Sequence, residues 1–250
     1  MIMLMRERLI SHSKLNLNKF QNANPFPHIV IDDFLDTEYA ELLASQLEFS
    51  VLKSDNWNNW FNDAHSQNVK RHRLEDEFFM SKDVRDFARY MNSRDFVLFL
   101  ESLTEYKHLI GDPYFTGGGV MVTEKGGLLD IHLDFNWNHK LQLWRKVNAI
   151  VYLTKNWQDD WGGDLILESK NSGESKSIKP YFNRLIVFRT DGESYHGQPE
   201  PLKCPDNVCR SVISNFYYSK DKLETTSEDP HFTKYKIENN PRARNLKLTN

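Results

Sequence analysis

Hydrophobic and polar positions along this chain change their period near the middle. In the first half the apolar residues recur at helical spacing. After a short strand-like run at 27–31, Asp36 is placed to cap a helix that carries Tyr39, Leu42, Leu43 and Leu47 on one face. Ser81 can cap a second helix bearing Val84, Phe87, Ala88 and Met91, and Ser93 a third bearing Phe96, Phe99, Leu100 and Leu103. Stripes of this kind predict packing against a sheet rather than contact with a ligand.

From about Gly117 onward the pattern becomes short β-type runs at 120–123, 147–153, 164–167, 185–188 and 211–218. Gly126-Gly127, Gly162-Gly163, Ser172-Gly173 and Asp191-Gly192 punctuate them, and no helical pattern separates them as a parallel α/β fold would require. The expectation is a mainly β fold with flanking α-helices, a double-stranded β-helix (jelly roll, cupin-like) with the N-terminal helices packed outside. One domain over 1–250 is expected, with 1–115 mostly helical support, 116–220 the catalytic core and 221–250 a polar, solvated tail.

Composition narrows the classes of function. Of the 250 residues 39% are hydrophobic and 13% aromatic, enough for a packed interior. The net charge of −3 balances 32 basic against 35 acidic residues, so no global field draws the chain to nucleic acid or to an anionic membrane. The apolar opening at 1–5 is interrupted by Arg6, Glu7 and Arg8, too early for a signal-peptide core or a membrane span, which predicts a soluble, cytoplasmic protein. Cys204 and Cys209 are the only two cysteines, and a reduced pair is expected rather than a disulfide framework or a zinc half-site.

The candidate chemistry sits in the β half. In the run 130–135, His132 and Asp134 stand two apart, so on a strand both project from one face. His196, just beyond the run 185–188, can supply a third ligand from a neighbouring strand. Two histidines and a carboxylate on one side of a metal leave positions open, the facial arrangement associated with non-haem Fe(II) oxygenases. A His-x-Asp pair alone has almost no specificity, so context decides. Arg210 opens the run 211–218, and a planar guanidinium entering a buried strand suits the far carboxylate of a dicarboxylic acid. On the run 147–153, Asn148, Ile150 and Tyr152 share the face with polar tips, which makes Asn148 and Tyr152 candidates for a cofactor pocket. The segments at 57–61 and 135–144, with Trp57, Trp60, Trp137 and Trp144, mix aromatic and polar residues and are candidates for substrate choice or for lid packing.

These motifs occur in an order that resembles the 2-oxoglutarate and Fe(II)-dependent dioxygenases, in their prolyl 4-hydroxylase-like branch. The ordered set is Gly117-Gly118-Gly119, His132-Leu133-Asp134, Tyr152-Leu153, Gly162-Gly163, the apolar run 185–188 and His196-Gly197, followed by Arg210. The resemblance covers about residues 115–220. It implies Fe(II) held by His132, Asp134 and His196, with 2-oxoglutarate anchored by Arg210 and ascorbate as a further candidate cofactor. It also implies O2 as co-substrate and a protein or peptide substrate, with a small molecule as the alternative. Two departures stand out: some members carry lysine at the place of Arg210, and a tyrosine often found one strand before His-x-Asp has no counterpart at 120–123. The rival readings are a metal-binding jelly roll without turnover and a zinc hydrolase on the same ligands.

Overall fold

A computed structural model describes residues 2–16, 18–54, 60–62, 67–222 and 229–236. Its elements, in chain order, begin with α1 (Ile2–Asn16), β1 (His28–Ile31), α2 (Thr37–Gln46), α3 (Phe49–Ser54), β2 (Phe61–Asn62) and β3 (Asn68–Leu74). There follow α4 (Lys82–Met91), α5 (Arg94–Thr104), β4 (Ile110–Gly111), β5 (Gly119–Leu133), β6 (Trp137–Asn138) and β7 (Leu143–Tyr152). The chain continues with β8 (Leu165–Ser169), β9 (Ser175–Ile178), β10 (Arg184–Arg189), β11 (Ser194–Gln198), β12 (Arg210–Ser219) and β13 (Lys234–Tyr235).

The three helices expected from apolar spacing form where their caps predict. Asp36 accepts hydrogen bonds from the backbone N–H groups of Glu38 and Tyr39, and Ser93 from that of Phe96, which satisfies first-turn donors the helices cannot pair themselves. Ser81 precedes α4 but makes no capping bond; its hydroxyl donates to Gln46 instead. In α2 the buried face is Tyr39, Ala40, Leu43 and Ala44, while Leu42 is exposed, so the helix is rotated slightly from the expected stripe.

The strands follow the order β1-β10-β7-β12-β5-β11-β8-β9 through antiparallel pairs. The 15-residue β5 links the two halves of this path. Its first part pairs with β12 and its last part with β11, so it carries the sheet over from one wall to the other. The result is a mainly β, curled antiparallel architecture, the double-stranded β-helix expected from the pattern.

Two apolar layers hold it together. The larger packs α2, α4 and α5, through residues such as Leu43, Phe87 and Phe96, against Val147, Ala149, Val151 and Ile213 of the sheet. Sheet-to-helix hydrogen bonds tie the layers, with Tyr217 Oη donating to Met91 O at 2.8 Å and Ser211 Oγ to Leu47 O at 2.9 Å. The smaller layer lies on the other face of the sheet, where Tyr152, Val212 and Ile186 meet Leu165, Leu167 and Phe188. The alternation in β7 is therefore used as expected: odd positions face the helices, and Asn148, Ile150 and Tyr152 face inward.

Within 1–115, expected to be mostly helical, β3 also pairs along β5 at Asn68, Val69 and 71–74 and extends the sheet. Residues 229–236 of the polar tail are tied to the sheet by their backbone while most of their side chains stay exposed: Asn136 N donates to His231 O, His231 N to Asn136 Oδ1, and Lys236 N to Ile131 O, while Lys234 and Tyr235 pair with Leu133 and His132. Backbone pairing needs no apolar pattern, which is why a polar stretch can do this. Arg242, Arg244 and Lys247, together with Trp57, lie outside the described residues. Cys204 and Cys209 are buried and free, and burial pushes the Cys209 thiol up to about 12. No helix among the described residues is long and apolar enough to cross a membrane.

Phe96 is fully buried and its ring meets those of Phe34, Tyr90, Phe99 and Tyr217. Phe96→Ala should cost about 3–5 kcal/mol of unfolding free energy, measured by urea denaturation. A loss under about 1 kcal/mol would mean that this junction does not hold the helices to the sheet.

Candidate metal and anion site

Neighbouring strands bring the three expected ligands together. His196 of β11 is the register partner of His132 in β5, and Asp134 follows one residue beyond the end of β5. The ring centroids of the two histidines are 4.4 Å apart. Gly197 makes this approach possible: a Cβ there would lie 2.8 Å from the carbonyl oxygens of both Leu129 and Asp130.

One potential ligand atom from each of His132, Asp134 and His196 lies within 4.8 Å of the others. The geometry fits a cation. His132 Nδ1 lies 2.8 Å from Asp130 O, and His196 Nδ1 lies 3.1 Å from Ser194 O. A nitrogen that donates to a carbonyl keeps its proton, so the lone pair of each ring is left on Nε2, which faces the carboxylate. His132 Nε2 is 3.5 Å from Asp134 Oδ1, and His196 Nε2 is 3.1 Å from Asp134 Oδ2. Burial lowers the His132 pKa, which keeps the imidazole neutral as ligation requires.

Burial by itself would raise the Asp134 pKa, but the Arg145 guanidinium and then the two imidazoles hold the carboxyl well below the usual carboxylate range. Arg145 was not among the residues singled out from the sequence. Its side chain is buried, and Nη2 lies 2.8 Å from Asp134 Oδ2. The guanidinium stacks over Phe216, 3.5 Å from the ring centroid, with Phe135 at 4.6 Å. Asn148 completes the support: Nδ2 donates to Asp134 Oδ2 at 2.9 Å while Oδ1 accepts from Nε and Nη2 of Arg145. Nη1 of Arg145 is buried without a hydrogen-bond partner.

A cavity of about 580 Å³ opens from these ligands and is also lined by Tyr152, Arg210, Arg71, Met121 and Phe232. Arg210 enters it from the first position of β12 and is 7% exposed. Nη1 donates to Gly163 O at 2.8 Å, whereas Nε has no hydrogen-bond partner and no carboxylate lies within ion-pair distance among the described residues. Gly163, at φ +82°, lets its carbonyl reach this guanidinium; a Cβ there would sit 3.3 Å from Arg210 Cδ. A buried guanidinium whose partners are a carbonyl and the neighbouring Tyr152, with no carboxylate paired to it, is a site for an anion. Tyr152 packs beside it, with the guanidinium carbon 5.7 Å from the ring centroid.

Among the described residues of the aromatic segments, Phe135 reaches the cavity, whereas Trp60, Trp137 and Trp144 are not part of its lining. Trp137 and Trp144 pack on each other at 4.8 Å, and Trp60 packs against the main core.

Comparison with known proteins agrees with this geometry. Residues 118–218 match the family model described as the 2OG-Fe(II) oxygenase superfamily. Among solved structures, one similar fold is a prolyl hydroxylase from Trichoplax adhaerens in complex with a hypoxia inducible factor oxygen degradation domain peptide. It has a TM-score of 0.61 and 19% identity, covering 85% of this chain and 91% of that one. A prolyl-4-hydroxylase from Pseudomonas putida has a TM-score of 0.57 and 15% identity, over 82% of this chain and 98% of its own. HygX from Streptomyces hygroscopicus, solved with nickel, 2-oxoglutarate and hygromycin B, has a TM-score of 0.52 and 10% identity, over 83% and 92%. No curated protein matches the sequence significantly.

Arg145→Gln removes the charge that balances Asp134 in the interior. Without metal the variant should lose about 3–5 kcal/mol of stability, the cost of leaving a buried charge unpaired. A divalent cation such as Mn2+ should then restore more thermal stability to the variant than it adds to the parent. Equal melting temperatures of variant and parent without metal would show that Arg145 does not carry this carboxylate.

Proposed function

We propose that this chain, whose residues 118–218 match the model of the 2OG-Fe(II) oxygenase superfamily, is an enzyme of that kind and hydroxylates an unactivated C–H bond, most simply that of a prolyl residue in a peptide or protein. Fe(II) and 2-oxoglutarate are the cofactor and co-substrate implied by the family and by the His-Asp-His site. The observation that carries the reading is Arg210, a buried guanidinium without a carboxylate partner among the described residues, in the cavity that holds those three side chains.

With O2, the iron and the keto acid supply the oxidising chemistry, which yields succinate, carbon dioxide and a hydroxylated substrate. The chain supplies the placement. His132, Asp134 and His196 would hold the metal, and the Nδ1 bonds to Asp130 O and Ser194 O leave Nε2 of each ring free to serve as the ligand atom. Arg145 and Asn148 fix the carboxylate of Asp134. Arg210 takes the far carboxylate of 2-oxoglutarate, with Tyr152 as the adjoining wall. Phe135 and Phe216, 6.4 Å apart in an edge contact, keep water from this side of the site.

Support for a peptidyl substrate comes from two sides. The unpartnered Nη1–H of Arg145, beside Asp134 on the cavity wall, calls for an acceptor such as a peptide carbonyl. The Trichoplax adhaerens relative in fold was solved with a peptide, though HygX, at a similar level of likeness, was solved with hygromycin B. A zinc hydrolase would need a general base near the metal. Glu75, the acidic residue of the lining besides Asp134, already pairs with Arg73 at 2.6 Å and accepts from Gly117 N at 2.7 Å. Ascorbate belongs in the assay as a reductant for the iron.

Anaerobic addition of Fe(II) and 2-oxoglutarate should give the visible charge-transfer band of a chelated keto acid, and His196→Ala should abolish it. Arg210→Lys should keep the band but require more 2-oxoglutarate, because charge survives while the planar fork does not. Folded, iron-bound protein that shows no band at any concentration of keto acid would end the oxygenase reading.

A further inference from the structure

Three segments meet at the mouth of the cavity, and buried polar side chains tie them into one frame. Asp112, 2% exposed, accepts from Tyr114 N at 2.8 Å and from Thr116 N at 3.0 Å, which fixes the turn before β5. The same carboxylate accepts from Asn138 Nδ2 at 3.2 Å, and Asn138 Oδ1 accepts from Lys140 N and Leu141 N, so the loop after β6 is tied to that turn. Asn136 joins the third segment. Its backbone N–H donates to His231 O, its Nδ2 donates to Asp229 O at 3.2 Å, and its Oδ1 accepts from His231 N at 2.8 Å. Asn136 and Asn138 are themselves buried, so the rim is ordered from within although its sequence is polar.

Each of the three segments presents an aromatic ring to solvent. Tyr114 is 54% exposed, Phe232 is 80% exposed, and His139 is exposed as well. The rings form a row. That of His139 lies 6.1 Å from that of Phe232 in a tilted contact, and the next residue, Lys140, holds its ammonium 4.8 Å from the centroid of Tyr114. The row starts in the cavity itself, because Phe232 lines it together with Thr116, Gly117 and Phe135. Single exposed apolar side chains are ordinary on a protein surface. Rings in a row on a hydrogen-bonded frame are different, since they present apolar area and lose little freedom when covered.

The occupant follows from where the row leads and from its charge. Whatever covers the rings and also reaches His132, Asp134 and His196 passes Phe232, which belongs to both. An extended chain with successive side chains does this, and a compact molecule inside the cavity does not. The outer end of the row is cationic: Lys140 has no carboxylate partner among the described residues, and Asp112 beside it is buried and committed to the frame. Asp229, the exposed acid of the frame, is on the segment of Phe232 and not on that of Lys140.

We propose that Tyr114, His139 and Phe232 form a docking shelf for an extended segment of a polypeptide substrate, which lays apolar side chains on the rings and directs a carboxylate to Lys140. The inference rests on reading the cavity as an oxygenase site for a peptidyl substrate. It adds the class of segment: a target residue with apolar neighbours and an acidic residue further out.

The test measures binding of labelled nine-residue peptides to the full chain with Mn2+ and 2-oxoglutarate, by fluorescence anisotropy. The probe Glu-Glu-Leu-Leu-Pro-Leu-Leu-Glu-Glu is compared with one in which Ser replaces each Leu and one in which Lys replaces each Glu. The parent should bind the first about tenfold tighter than the Ser peptide, as expected for covering one exposed ring, and several-fold tighter than the Lys peptide. Phe232→Ala should remove most of the preference for Leu over Ser and keep that for Glu over Lys. Lys140→Ala should do the reverse. Leu15→Ala, which removes a side chain 67% exposed on α1, should bind all three as the parent does. Melting temperatures establish that each variant is folded, and Phe232→Ser carries the test if Phe232→Ala does not fold. A preference for Leu that survives in a folded Phe232 variant would overturn the shelf. So would a parent that binds the three peptides alike, or none of them, while its charge-transfer band with Fe(II) and 2-oxoglutarate leaves the oxygenase reading standing. Absence of that band would remove the oxygenase reading and the shelf with it.

Discussion

A carboxylate can sit between two imidazoles in this interior only because a guanidinium is buried with it. The pair of Asp134 and Arg145 is the constraint to which the rest of the site is fitted. Taking either charge out of water alone is expensive, and taking both is tolerable when geometry and hydrogen bonds are good. Here Asn148 serves both partners at once, donating to the carboxylate and accepting from the guanidinium. Phe216 and Phe135 cover the flat faces of Arg145 and remove the water that would otherwise weaken the pair. The ligand that most needs its charge is thereby kept ionised and pinned.

How Arg145 reaches that position explains why it was not visible in the sequence. Strict alternation from the inward Asn148 would put Lys146 in the cavity and Arg145 outside. The pairing of β7 with β12 instead slips between Tyr217 and Tyr218: Tyr217 faces Val147, but Tyr218 faces Arg145. Lys146 is the extra residue of a bulge, and the bulge reverses the parity of everything before it. One misplaced residue in a ladder is a property of the pairing, not of either strand. The rest of β7 was legible because its odd positions are uniformly apolar and its even positions are not.

The same distinction separates the other elements. Helices α2, α4 and α5 carry their own signals, a cap and an apolar stripe, and could be read locally. His132 and Asp134 needed only the two-residue period of a strand. His196 depended on which strand lies beside β5, a long-range fact that the order of motifs suggested and that spacing could not provide. β3 and β13 carry no local signal. The run from Lys70 to Arg73 is polar and basic, yet its backbone pairs along β5 and its arginines line the cavity. β13 is two residues long and is held by its partner.

These unannounced strands frame the margins of the cavity. The central ladder, β7 with β12, β5 and β11, places His132, Asp134, His196 and Arg210, and solved structures of similar fold were obtained with a peptide and with hygromycin B. β3 brings Arg71 and Arg73 to one margin, and the return of residues 229–236 brings Thr233, Tyr235 and Phe232 to another. Phe232 is 80% exposed although it lines the cavity, and Tyr235 lies with its ring 5.6 Å from that of His132. A polar sequence suits both margins, since each satisfies its backbone against β5 and neither has to supply an apolar stripe. The margins of the cavity are thus formed by segments whose structure is imposed by the strand they border, and its centre by strands whose pattern is written locally.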